Sequence, residues 1–398
     1  MSIPQLTDFD LAGKRVLIRE DFNVPLKNNM VTSDLRIRAA IPTITQVLQD
    51  GGKVMLMSHL GRPNGNGFEE GFSLAPVART LSQLLKQEVP LISDWLHGVD
   101  MQQHNVVLLE NVRFHHGETE NNVELSKKMA AICDLFVMDA FATAHRAESS
   151  TCGIIKFVKE ACAGPLLMKE LAALNKVLEK PAHPVVAIVG GSKVSTKLTL
   201  LDSLVKKVDT LIIGGGIANT FLAAEGYTVG KSLYEPDLID EAERLTLSAR
   251  ERGAVIPRPV DVVVAERFAE DVDTSIRLVS QIDDNEKIFD VGPDTIKQLV
   301  AAIKKAKTIL WNGPIGAFEV DAFANGTREI AKAIAANTKA FKVAGGGDTL
   351  AAIEKYQISD KINYISTGGG AFLTVLEGKA LPVITALLER TAKSEKVT

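Results

Sequence analysis

Short, unbroken runs of apolar and often β-branched residues recur along the whole chain, each followed by a polar, basic or glycine-rich stretch. In the first half these runs are Arg15–Ile18, Lys53–Ser58, Val106–Glu110 and Leu135–Asp139. In the second half they are Val185–Gly190, Thr210–Gly215, Thr308–Asn312, Phe341–Gly345 and Ile362–Ser366. A strand with one wet face alternates apolar and polar residues, whereas an unbroken run suits a parallel strand covered by helices on both faces. Longer amphipathic segments lie between the runs, so the pattern predicts an α/β protein of doubly wound, Rossmann-like parallel sheets. At 398 residues the chain exceeds one ordinary core, and two such domains are expected. The segment Pro165–Lys180 reads as a helix with proline in its first turn, and Pro181 and Pro184 follow its end. It would join a domain at 1–164 to another at 185–372, with 165–184 as helix and hinge. Leu381–Arg390 reads as a further apolar-faced helix, followed by a polar tail.

Charge and cysteine content narrow the function classes. The net charge of −4 gives no bulk attraction to nucleic acid or anionic membranes. Cys133, Cys152 and Cys162 are sparse, odd in number and lack a CxxC pair, against a disulfide framework or a structural zinc site. The opening MSIPQLTDFD has neither the basic nor the apolar region of a signal peptide. The most apolar long stretch, Leu211–Ala224, is too short to span a bilayer. A soluble, cytoplasmic protein is expected.

In open α/β sheets, ligands bind beyond the carboxyl ends of the strands. The two halves differ there. In the first half the strand ends lead to Asp21 and Asn23, then Arg36 and Arg38; to His59 and Arg62; to Arg113; and to His145 and Arg146. The planar fork of arginine grips carboxylate and phosphate oxygens in pairs, so such a set would hold a small polyanion. In the second half the strand ends carry Gly190-Gly191, Gly214-Gly215-Gly216, Gly313, Gly345-Gly346-Gly347 and Gly368-Gly369-Gly370. Glycines let backbone N–H groups approach phosphate oxygens, and a helix start adds its dipole. Lys193 and Lys197, four residues apart, share a helix face or the turn leading onto it. A nucleotide phosphate cradle is the expectation, although GxxxxGK[ST] and GxGxxG are both absent. Asp348 is the candidate Mg²⁺ ligand, and Glu319 the candidate partner of a ribose hydroxyl.

At these residues the chain resembles the phosphoglycerate kinase family over nearly its whole length. The matching segments are Arg19–Pro25, Ser58–Pro63, Glu110–Phe114, Asp139–Arg146, Gly190–Lys197, Ile212–Gly216, Trp311–Glu319, Ala344–Thr349 and Ser366–Ala371. The resemblance implies a phosphotransferase with a carboxyl acceptor, moving a phosphoryl group between 1,3-bisphosphoglycerate and MgADP to give 3-phosphoglycerate and MgATP. It implies that Asp21, Asn23, Arg36, His59, Arg62, Arg113 and Arg146 bind 3-phosphoglycerate. It assigns Lys193, Lys197, Gly214, Gly292, Asn312, Glu319, Gly346, Gly347, Asp348 and Thr349 to the nucleotide, and Arg36, Lys193 and the amides near Gly369 to the moving phosphoryl group. Family members are usually monomers, and their C-terminal segment, here 373–398, returns to the N-terminal domain. Two positions depart from the family pattern: Glu148 stands where histidine is usual and Glu20 where valine is common.

Phosphoryl transfer needs in-line positioning and distributed positive charge more than a side-chain nucleophile. Substrates held on separate domains imply hinge closure, which also keeps water from the acyl phosphate. Two other readings of the residues stay open here: a kinase for a different small carboxylate, and a non-catalytic nucleotide-binding protein.

Overall fold

The structure is a computed structural model that describes residues 2–394. The described chain divides into two compact units, one running to Ala172 and resuming at Ala380, the other spanning Ala173–Lys379.

The first unit is built on a six-stranded sheet. Its strands lie side by side in the order Leu91–Ile92, Val106–Leu109, Lys53–Met57, Arg15–Arg19, Leu135–Met138 and Glu160–Ala163, and every neighbouring pair is parallel. The unbroken apolar runs have the cause expected of them. Val16, Ile18, Val54, Leu56, Leu135 and Val137 share one buried cluster with Ile37, Ile44 and Val47 of the helix Leu35–Gln49 and with Val77 and Leu81 of the helix Ala75–Leu85. The alternate residues, among them Leu17, Met55, Phe136 and Met138, are also fully buried, on the opposite face. The helix Pro382–Ser394 belongs to this unit: Arg390 donates to the carbonyls of Ile155 and Lys159.

The second unit has a five-stranded parallel sheet, ordered Thr210–Gly214, Val185–Gly190, Thr308–Asn312, Phe341–Gly345 and Tyr364–Ser366. A three-stranded antiparallel sheet, Ser275–Leu278, Asp261–Ala265 and Lys287–Val291, accompanies it. The sequence reading has no counterpart for this sheet. The helix Gly370–Leu376 stays with the second unit, where Phe372 is fully buried beside Gly345. The expected boundary at 372/373 therefore falls inside that helix, and the last four residues of the 373–398 segment lie outside the described residues. The helix Pro165–Leu178 contains the boundary at Ala172/Ala173. Cys133, Cys152 and Cys162 are buried and free, and among the described residues no helix is long and apolar enough to cross a membrane.

In both sheets the chain works outward on one side of its first strand and then returns to the other side. The first sheet turns back between Arg15–Arg19 and Leu135–Met138, the second between Val185–Gly190 and Thr308–Asn312. A doubly wound sheet opens a crevice at the carboxyl ends of such a pair.

Candidate functional site

In the first unit, Asp21 follows the strand Arg15–Arg19 and meets Arg36 in the first turn of the helix Leu35–Gln49, Oδ2 to Nη1 at 2.8 Å. The same Nη1 donates to the carbonyl of Asn23 at 2.9 Å. Asn23 Oδ1 accepts the Gly61 N–H at 2.9 Å, which ties it to the Ser58–Pro63 loop. The Gly61 carbonyl accepts from Arg113 Nη1 at 2.8 Å, and Arg113 Nη2 lies 3.0 Å from Glu148 Oε1. Glu148 in turn sits 3.8 Å from Arg146. Asp21, Asn23, Arg36, Arg113 and Arg146 thus form one connected string along the strand ends. Arg62 is exposed and stands outside that string.

His59 is 3% exposed, and its Nδ1 lies 3.4 Å from Arg19 Nη2. A guanidinium can only donate, so Nδ1 accepts and Nε2 carries the ring proton. Burial, followed by the charges of Arg19, Arg113, Arg146 and Arg36, holds the His59 pKa well below its usual value. The imidazole is therefore neutral at pH 7, and the four arginines converge on one place. Arg19 itself received no role from sequence. It is fully buried and donates through Nε to Ser150 Oγ at 3.0 Å, and Ser150 N–H donates to Glu118 at 3.0 Å. Burial raises the Glu118 pKa to about 7, against the opposing hydrogen bond from Ser150 and the charge of Arg19. An arginine closing a buried strand was the one available sign of this layer.

In the second unit, Lys197 immediately precedes the helix Leu198–Val205 and reaches back across the turn-back of the sheet. Its Nζ donates to the Gly190 carbonyl at 2.6 Å and to Asn312 through Oδ1 at 2.8 Å and the carbonyl at 3.3 Å. Burial lowers its pKa to about 8, and Asp348 opposes that shift. Asn312 Nδ2 donates to the Gly345 carbonyl at 2.8 Å. Gly346 caps the helix Gly347–Lys355, whose Thr349 accepts the Gly313 N–H at 2.7 Å. Asp348 is exposed in the first turn of that helix. Lys193 is exposed in the loop before Lys197, so the pair shares the turn and not a helix face.

The glycines separate into two kinds by what a Cβ would meet, a distinction the sequence reading did not draw. A Cβ on Gly190 would stand 1.7 Å from the Pro314 carbonyl oxygen, and one on Gly214 would stand 2.6 Å from Ile315 Cα. These residues are glycine because backbone packs on backbone where strands diverge. Likewise, a Cβ on Gly292 would run into the Asp261 carboxylate at 2.3 Å. Gly347 and Gly369 have open space around the Cβ position, and at Gly369 a φ of +45° favours glycine by itself. Gly369 directly precedes the helix Gly370–Leu376.

Beside Lys197 lies a cavity of about 700 Å³, lined by Gly215, Gly216, Asn219, Leu222, Phe268, Phe289, Pro314, Glu319 and Asp348 among others. Apolar walls with a few polar groups are typical of a small-molecule site. The antiparallel strand Lys287–Val291 lines this wall with all five of its residues, and sequence reasoning missed every one of them. Asp290 is buried in that wall, and burial raises its pKa to about 7 against the N–H groups of Gly326 and Val291.

Fold and site together define a two-domain α/β small-molecule kinase that works without a Walker loop. Residues 6–379 match the family model for phosphoglycerate kinase. The structure of phosphoglycerate kinase from Coxiella burnetii is 53% identical, covers 98% of this chain and 100% of its own, and superposes with a TM-score of 0.95. That of phosphoglycerate kinase from Pyrococcus horikoshii OT3 is 32% identical with the same coverages and a TM-score of 0.78. The chain belongs to the phosphoglycerate kinase family, and it is a phosphotransferase of glycolysis.

Proposed function

We propose that the enzyme transfers a phosphoryl group directly between a nucleotide held by the second unit and the carboxylate of 3-phosphoglycerate held by the first. The observation that carries this reading is the string from Asp21 through Arg36, Asn23, Gly61 and Arg113 to Glu148 and Arg146, which collects guanidinium groups at the strand ends of the first unit. Arg36, Arg113, Arg146, Arg62 and the Nε2–H of neutral His59 bind the anionic substrate, and Asp21 and Asn23 orient Arg36. Lys197, the amides of Gly346 and Gly347, and Thr349 hold the phosphates. Gly214, Gly292 and Asn312 belong to the nucleotide side of the site, where Asn312 fixes the Lys197 ammonium, and Glu319 meets the ribose.

In the ATP-forming direction, a β-phosphate oxygen of ADP attacks the acyl phosphate. The new P–O bond forms as the bond to the carboxylate oxygen breaks, and the carboxylate leaves with the electron pair. Negative charge spreads over the equatorial oxygens of the moving group. Arg36, Lys193 and the amides near Gly369 stabilise it there. No side-chain nucleophile takes part.

Asp348 fits a Mg²⁺ that arrives with the nucleotide. Its carboxylate is exposed, and among the described residues no cluster of three or more His, Cys, Asp or Glu forms a protein-only metal cage. Mg²⁺ commonly takes one or two carboxylates and completes its shell with phosphate oxygens and water. When bound, it would neutralise charge between the phosphates.

Direct transfer also requires the bound substrates to meet, so ligand-driven compaction belongs to the reading. Small-angle scattering curves that are identical with and without both substrates would contradict it. The enzyme acts as a cytoplasmic monomer in this reading, which light scattering checks through its mass. The decisive assay couples ATP consumption to 3-phosphoglycerate, acetate or carbamate in parallel. Turnover with 3-phosphoglycerate alone is expected, and a preference for either other acid would overturn the substrate assignment.

A further inference from the structure

Glu148 is a carboxylate enclosed in a cluster of guanidinium groups. Its backbone is fixed at the start of the turn Ser149–Gly153. The N–H donates to Thr151 Oγ1 at 3.1 Å, and the carbonyl accepts the N–H groups of Cys152 at 2.9 Å and Gly153 at 3.1 Å. Its side chain is 7% exposed, with Oε1 3.0 Å from Arg113 and 3.8 Å from Arg146. Oε2 is buried without a hydrogen-bond partner, and so is Arg113 Nε. The other terminal nitrogen of Arg113, Nη1, donates to the Gly61 carbonyl.

Both terminal nitrogens of Arg113 are therefore engaged by the protein, and its third nitrogen is enclosed. An unpaired buried oxygen costs stability, so Glu148 is held through Oε1 alone and less firmly than a fully paired carboxylate. Two cations assigned to an anionic substrate are already held by an internal anion.

We infer that Glu148 is an internal competitor for the substrate's anionic group. It holds Arg113 and Arg146 when 3-phosphoglycerate is absent and yields Arg113 Nη2 when the substrate's phosphate or carboxylate arrives. This role rests on the assignment of Arg113 and Arg146 to 3-phosphoglycerate. Its consequence is weaker substrate binding, faster release, and discrimination against anions of lower charge, which compete poorly with a fixed carboxylate.

Glu148→Gln keeps the shape and an acceptor oxygen for Arg113 while removing the charge. The dissociation constant for 3-phosphoglycerate, measured by calorimetry without nucleotide, is expected to fall about tenfold, the ratio that ~1.4 kcal/mol of relieved competition produces. Its KM should follow, the inhibition constant of sulfate should fall at least as far, and the KM for MgATP should stay within about twofold. Unchanged or weaker 3-phosphoglycerate binding would overturn the inference and leave Glu148 as a brace. If the Gln variant does not fold, Glu148→Asp retains the charge but withdraws it from Arg113, and the same direction is required of it. Arg113→Ala separates the two layers of the argument. If it does not weaken 3-phosphoglycerate binding, the substrate assignment itself is wrong. If it does, and Glu148→Gln has no effect, only the competitor role fails.

Discussion

Replacing Lys197 with Met should leave the fold nearly as stable as before while removing most of the affinity for nucleotide. The ammonium donates to the Gly190 carbonyl, the Asn312 carbonyl and Asn312 Oδ1, so the substitution strands acceptors at a cost of roughly 1–3 kcal/mol for each one that water does not reach. Against this, burial lowers the lysine pKa from 10.5 to about 8, a penalty of roughly 3 kcal/mol on the charged form at pH 7. The unfolded chain binds the proton more tightly than the folded one. The penalty is therefore fully present below pH 8, fades as pH rises from about 8 to 10.5, and vanishes in the Met variant. Where water reaches all but one of the three acceptors, the two effects nearly cancel, and a net change within ~2 kcal/mol is expected in urea unfolding at pH 7. Nucleotide phosphates lose a charged donor worth about 1.5–3 kcal/mol, so the dissociation constant for MgADP should rise about 100-fold. Urea titration and calorimetry on the same preparation measure both. A large fall in the urea midpoint with unchanged MgADP affinity would show that Lys197 is a structural lysine and refute the reasoning.

The same ammonium sets a pH dependence: MgADP affinity of the free enzyme should weaken as pH rises through about 8, and Lys197→Met should flatten that slope. A pH-independent affinity in the native enzyme would contradict it. Arg36→Ala should lower kcat far more than it weakens nucleotide binding, and an unchanged kcat would remove Arg36 from the transition state. Lys193→Ala should lower kcat by roughly 100-fold, judged from the loss of single oxyanion donors; near-normal turnover would make it a surface lysine. Gly190→Ala forces a Cβ to 1.7 Å from the Pro314 carbonyl oxygen. It should cost about 3 kcal/mol, read as a lowered urea midpoint, and an unmoved midpoint would contradict the packing account.

The parallel sheets were legible because both faces of each strand are buried, which leaves an unbroken apolar run such as Val16–Ile18 or Val186–Val189 in the sequence. Glu160–Ala163 escaped because its Ala-Cys-Ala carries too little apolar bulk to stand out. Ser275–Leu278 is half exposed and holds Arg277, so its period is weak, although the apolar run Asp261–Ala265 beside it was open to the same argument as the others. At the site, the candidate arginines were visible because charge at successive strand ends is conspicuous. Their connections were not, since the Asn23 to Gly61 and Gly61 to Arg113 links join residues 38 and 52 positions apart. The glycines show the opposite failure. Composition marks Gly190 and Gly214 as strongly as Gly347, yet only the folded backbone separates those packed against the Gly313–Ile315 loop from the one that faces open space. Glu148 was visible as an unusual residue, but only its distances to Arg113 and Arg146 give it a role.

The stereochemical course at phosphorus tests direct transfer most sharply. With ATP made chiral at its γ-phosphorus by oxygen isotopes and sulfur, a single in-line displacement onto 3-phosphoglycerate must invert the configuration. Inversion is the predicted result. Retention would require an even number of displacements, and hence a phosphorylated enzyme group that this account does not contain.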